Sequence, residues 1–152
     1  MFQNLITLLL LVGNGLVTGV FFAVRVSVLP ALATMPAGRY IETHRLLGKG
    51  YHPAMPVIVN ATTLCAIGLA ILTPDLVARL LLVGTVVALL VVQAVSHLGN
   101  VPLNRALTKI EPEHVPDDWD DPRPVWSRWH GLRTLAALVA MACSSTTAVV
   151  YV

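Results

Sequence analysis

The sequence predicts an all-α membrane protein: a compact four-helix transmembrane bundle with a short interfacial helix and an irregular, proline-rich cap loop. Three observations predict it. First, no Asp, Glu, Lys or Arg occurs from Met1 to Val24, Tyr51 to Pro74, Leu80 to Asn104 or Thr134 to Val152. About 20 apolar residues cross a hydrocarbon core of about 30 Å. Second, lipid offers the backbone no hydrogen-bond partners, so stretches of this kind must become helices. Third, the chain is 56% hydrophobic and 12% charged, against about 25% charged residues in soluble domains. Its 152 residues read as a single domain, 1–152. A net charge of +2, scattered along the chain, gives no argument for a nucleic-acid partner, and none is expected.

The first span is expected at 5–30. It lacks a basic leading segment and its apolar run exceeds the about 7–15 residues of a signal peptide, so it reads as a retained helix. Gly15, Gly19, Ala23 and Ser27 recur four apart, a stripe expected to let helices approach closely. The 31–52 connection contains Pro36, Gly38, Gly48 and Gly50, and between them Arg39 to Leu47 reads as a short interfacial helix. Spans two and three, 54–73 and 77–99, are joined at Thr73-Pro74-Asp75 and so form an antiparallel hairpin. The 100–128 connection holds Pro102, Pro112, Pro116, Pro122, Pro124 and the acidic run Asp117-Asp118-Trp119-Asp120-Asp121, which predicts the irregular cap. The fourth span, 129–150, carries a second small-residue stripe at Ala136, Ala140, Ser144 and Ala148. Cys65 and Cys143 lie at similar depth inside spans and read as small core residues, with a disulfide or metal role as the alternative.

An even number of spans puts both termini on one face. Of ten Lys and Arg, Arg39, Arg45, Lys49, Arg105, Lys109, Arg123, Arg128 and Arg133 belong to the opposite, loop face. Only Arg79 flanks the terminal face, and Arg25 lies within the first span. The positive-inside rule then puts the loop face in the cytoplasm and both termini outside, in the plasma membrane if the source is bacterial.

All five histidines, His44, His52, His97, His114 and His130, fall on the loop face. Helical spacing groups Gln93, His97, Asn100 and Asn104 on the third helix, Trp126, His130 and Arg133 on the fourth, and His52, Pro56 and Asn60 on the second. Polar groups at membrane depth are expected to face the bundle interior, so these stripes converge, with Arg25 in reach. In such a cluster His97 or His130 would accept a proton, Arg25 and Arg133 would hold an oxyanion, and Asn100 and Asn104 would orient a carbonyl or phenol. Asn60, Gln93, Trp126 and Trp129 would line the substrate. The alternative use is a copper or iron centre built by His44, His52, His97 and His130 from separate helices, since imidazole suits both metals; no short metal-binding motif is present. A non-enzymatic scaffold or small-molecule binding protein, using Trp119 and the acidic run as contacts, is the third reading.

Three segments resemble the anthrone oxygenase-like proteins, a family of small four-span membrane proteins. They are Gly19-Val-Phe-Phe-Ala-Val-Arg-Val-Ser-Val-Leu-Pro30-Ala-Leu; Asn100-Val-Pro102-Leu-Asn104-Arg-Ala-Leu107, similar to the family's N-x-P-x-N-x-x-L; and Trp126-Ser-Arg-Trp129-His130-Gly-Leu-Arg133-Thr, similar to its W-x-x-[W]-H-x-x-R-T. This chain has His52-Pro53 where the family often has Asn-Pro. The resemblance implies oxidation of an aromatic, phenolic or other small hydrophobic substrate with O2 as co-substrate, with Asn100, Asn104, His130 and Arg133 as site residues. An anthrone forms an electron-rich enolate that reacts with oxygen, so the chemistry needs a base, an oxyanion partner and a dry pocket.

Overall fold

The computed structural model describes residues 2–151, all connected by helices and turns. Four helices are long and apolar enough to cross a membrane: α1 (Phe2–Ala33), α3 (Ala54–Leu72), α4 (Leu76–Leu107) and α5 (Arg123–Val150). The interfacial helix α2 spans Ala37–Tyr51, longer than the expected 39–47. Around the bundle α1 packs on α3 and α5, and α4 packs on the same two, so every neighbouring pair is antiparallel. The α3–α4 turn is fixed by Asp75, whose carboxylate accepts from the Ala78 N–H at 2.8 Å, and by Arg79, which donates to the Thr73 carbonyl at 2.8 Å.

Three span boundaries differ from expectation. The first helix continues past Pro30 to Ala33, the third past Asn100 to Leu107, and the fourth begins at Arg123 rather than 129. The cause is common to the first two. A π turn occupies Val24–Val28 in α1 and Ser96–Asn100 in α4. There the Leu29 N–H bonds the Val24 carbonyl and the Val101 N–H bonds the Ser96 carbonyl. Pro30 and Pro102 follow directly, in the first turn of the restarted α-helix, where a missing N–H breaks nothing.

The interior is apolar with satisfied hydroxyls. Leu10, Ala66, Leu69 and Leu82 pack toward the terminal face, and Val17, Phe21, Val59, Val92, Ala136 and Ala137 pack at mid-depth. The Ala136–Ala140–Ser144 stripe is buried: Asn14 donates to Ser144 Oγ at 3.0 Å and Thr18 to the Ala137 carbonyl at 3.1 Å. The other stripe is not. Gly19, Ala23 and Ser27 are exposed, and a Cβ on Gly15 or Gly19 would meet nothing within 4 Å. Buried Asn14 and Thr18 turn the neighbouring face of α1 inward and leave this one outside. Leu80 and Leu135, each 60% exposed, and Ile71, 74% exposed, belong to an outer apolar surface suited to contact with lipid.

On the loop face a separate small core joins the end of α1, α2 and the cap: Leu32, Tyr40, Ile41 and Leu107, with Met35, Ile110, Val115 and Trp119 against them. Trp119 is thus turned inward, 6.3 Å from the Tyr40 ring, rather than displayed with the acidic run. The 108–122 connection is irregular, as its prolines predict.

Candidate functional site

The site is assembled around Trp126, in the first turn of α5. Its indole stacks on the His130 imidazole, one turn further on, at 5.1 Å and 9°. His44 of α2 meets the same indole edge-on at 5.3 Å. The Arg133 guanidinium lies over the rings of Phe21 and Trp126, at 4.7 and 5.3 Å. The α-helical spacing of 126, 130 and 133 makes this side of α5 continuous, and the Trp126 and His130 side chains are buried.

Hydrogen bonds fix the protons. Arg133 Nε donates to His130 Nδ1 at 2.9 Å. A guanidinium is only a donor, so Nδ1 carries the lone pair and Nε2 the hydrogen, which bonds the Phe21 carbonyl at 3.0 Å. Both ring nitrogens of His130 are therefore engaged, and the residue positions Arg133 rather than offering a free base. A parallel argument applies to His44. The Trp126 indole N–H, only a donor, bonds Asn104 Oδ1 at 2.8 Å. His44 Nε2, 2.9 Å from that same oxygen, must then donate to it. This leaves the lone pair on His44 Nδ1, which has no hydrogen-bond partner among the described residues. Burial holds the His44 pKa below its ordinary value, with the Arg133 cation acting in the same direction against the hydrogen bond to Asn104. Asn100 donates to the Trp126 carbonyl at 3.1 Å, and its own buried Oδ1 has no partner.

These groups border a cavity of about 190 Å³. Val20, Phe21, Val24, Val28 and Leu32 of α1, with Leu47, Met55 and Pro56, make its apolar wall; His44, Asn104, Trp126 and Arg133 make its polar end. The eight acids of the chain all lie outside the four charge-free stretches, and among the described residues the only ion pair is Arg123–Asp121. Among the described residues Arg133 therefore faces the cavity with no counter-charge.

The remaining predicted residues fall elsewhere. Arg25 donates to Ser127 Oγ at 2.8 Å and lines a separate cavity of about 590 Å³ with Tyr40, Arg123 and Asp121. His44 lies on the wall of both cavities. Gln93 donates to Thr63 Oγ1 of α3 at 3.1 Å. His97 is exposed and turned away from His130, which corrects the expected interior stripe. The π turn at Ser96–Asn100 advances each residue by less than an α turn does, so Gln93 faces α3 while Asn100 faces α5. Asn60 is also exposed, because Val59, Thr62, Thr63 and Ala66 claim the inner face of α3. Trp129, 36% exposed, lies against Gly99, where any Cβ would collide with the indole.

His44 and His52 line both the cavity and the adjoining groove, whereas His97 lines the groove alone. Among the described residues no three His, Cys, Asp or Glu side chains lie close enough to share a metal ion. With His130 committed at both nitrogens, the four histidines do not form the donor set a copper or iron centre needs. Cys65 and Cys143 are free thiols. Phe21, Tyr40 and Arg123 are contacts that helical spacing alone did not identify. Arg123 pairs with Asp121, lies 5.1 Å from the Tyr40 ring and donates to the Met35 carbonyl at 2.7 Å, tying the end of α1 to the cap. Tyr40 is pushed up to about 12 by burial and by Asp121, against the opposing effect of Arg123.

No curated protein and no solved structure matches the chain. The family described as Anthrone oxygenase matches residues 44–143, a segment that begins at His44 and contains Asn100, Asn104, Trp126, His130 and Arg133. With well over half of its length matched, and four membrane-length helices around those residues, the chain belongs to the anthrone oxygenase family.

Proposed function

We propose that this protein is a membrane oxygenase that oxidises an enolisable aromatic ketone or phenol with O2 in the cavity between α1, α2 and α5. The observation that carries the reading is Arg133: a cation with no counter-charge among the described residues, held by His130 against a largely apolar cavity that His44 also lines. A half-buried charge without a counter-charge is costly. Cation–π contacts with Phe21 and Trp126 offset part of that cost. A substrate oxyanion offsets the rest, and does so most as charge develops.

His44 Nδ1 takes a proton from the ring CH2 opposite the ketone, and the electron pair moves through the flanking aromatic rings onto the ketone oxygen facing Arg133. Dioxygen forms a bond to the electron-rich carbon, and the resulting peroxide anion recovers the proton from His44. Loss of the second C–H proton with cleavage of the O–O bond leaves a new C=O and releases water. The balance is CH2 + O2 → C=O + H2O. Asn104 holds His44 and Trp126 in register, and the apolar wall excludes water. This assigns the base role to His44 in preference to His97 or His130.

The test is oxygen uptake by the purified protein with an anthrone as probe. Uptake above the spontaneous rate, lost in His44→Phe and in Arg133→Gln, supports the reading. Uptake that both variants retain refutes it.

A further inference from the structure

The groove between α2 and the last turns of α4 adjoins the cavity through His44 and Asn104 but carries cations that the oxidation does not use. Its volume is about 970 Å³. Arg45, Lys49 and His52 line one wall and His97, Arg105 and Thr108 the other, with no Asp or Glu among the lining residues. Arg45 and Lys49 stand one turn apart on α2. Arg45 is anchored: its Nε and Nη2 donate to the Leu107 carbonyl at 3.2 and 2.9 Å, and Nη2 also to Ile110. Its Nη1 is left uncommitted. Lys49 and Arg105 are exposed, and neither is ion-paired among the described residues.

The surroundings say what kind of anion fits. The groove is open, and its α4 wall belongs to a membrane-length helix. Val101 of α4 and Pro56 of α3 line the groove beside the cations, and Leu98 of the membrane-length α4 is 76% exposed. A soluble anion would gain nothing from this apolar surface, whereas an acyl chain would. Basic pockets beside membrane helices suit phosphate headgroups.

We infer that the groove between α2 and α4, lined by Arg45, Lys49, His97 and Arg105, binds the phosphodiester headgroup of an anionic phospholipid. The inference is independent of the oxygenase reading and needs no substrate for its test. The full chain in detergent micelles is titrated with phosphatidylglycerol or phosphatidylcholine, and bound lipid is counted by native mass spectrometry. Phosphatidylglycerol is expected to bind in preference. Lys49→Gln with Arg105→Gln is expected to weaken it roughly tenfold or more. Arg39→Gln, exposed on α2 outside the groove, is expected to leave it unchanged. Equal loss in both variants means diffuse attraction and overturns the inference. A second measurement needs no variant: in the wild type, phosphatidylglycerol but not phosphatidylcholine should shield His97 from acylation by diethylpyrocarbonate. Equal modification with both lipids overturns the inference. Shielding by inorganic phosphate without shielding by phosphatidylglycerol assigns the groove to a soluble anion and overturns it also.

Discussion

Replacing His130 by phenylalanine separates its two conceivable roles. The substitution keeps an aromatic ring to stack on Trp126 but removes both nitrogens. The Phe21 carbonyl and the Arg133 Nε–H then lose their partners at 3.0 and 2.9 Å. Stranding buried polar groups costs about 1–3 kcal/mol, so the variant should fold and insert but unfold at lower denaturant. In the assay, oxygen uptake with an anthrone, Arg133→Gln should lower kcat by about 10²–10³, the effect of one lost oxyanion donor. His130→Phe should lose part of the same factor, because its contribution is to hold that guanidinium. The double variant should then be no slower than Arg133→Gln alone, a coupling visible in a double-mutant cycle. If His130→Phe costs the same factor with and without Arg133, His130 acts on the substrate in its own right and the positioning argument fails.

Three further outcomes follow from the geometry. Since burial holds His44 below the ordinary imidazole pKa, its base form persists under mild acid; kcat/KM should stay level down through about pH 6.5. The acid limb should lie below that value and vanish from the residual rate of His44→Phe; a limb centred above 6.5 would contradict the assignment. Gly99→Ala drives a methyl into the Trp129 indole, an overpacking change worth about 1–3 kcal/mol. Its denaturation midpoint should fall and Trp129 fluorescence shift, whereas Gly19→Ala, in open space, should change neither. Reporter fusions at the C-terminus should be active outside the cytoplasm, and a cytoplasmically active fusion would reverse the orientation while leaving the bundle intact.

What was legible in the sequence was whatever depended on hydropathy and α-periodicity. Four charge-free stretches predicted four membrane-length helices, and 126, 130 and 133 predicted one polar side of α5. The failures share a physical cause. A π turn before Pro102 changes the angular register of α4, so spacing that joins His97 to Asn100 on paper parts them in space. A proline in an apolar run reads as a helix end, yet after a π turn it merely opens the next α segment at Pro30 and Pro102. Asn60 was expected inside because amides are costly in lipid, but Thr62 and Thr63 satisfy their hydroxyls on their own helix and occupy the inner face. The tautomers of His44 and His130 depend on hydrogen-bond partners at three other positions, Trp126, Asn104 and Arg133, and no local pattern encodes them.

The most direct test of the oxygenase reading is isotopic. Purified protein is given an anthrone under 18O2, and the product is analysed by mass spectrometry against a protein-free control. The account predicts one labelled oxygen in the new carbonyl, formed faster than in the control and about 10²–10³-fold more slowly by Arg133→Gln than by the wild type. Unlabelled product, or labelled product formed equally fast by wild type, Arg133→Gln and the control, would contradict it.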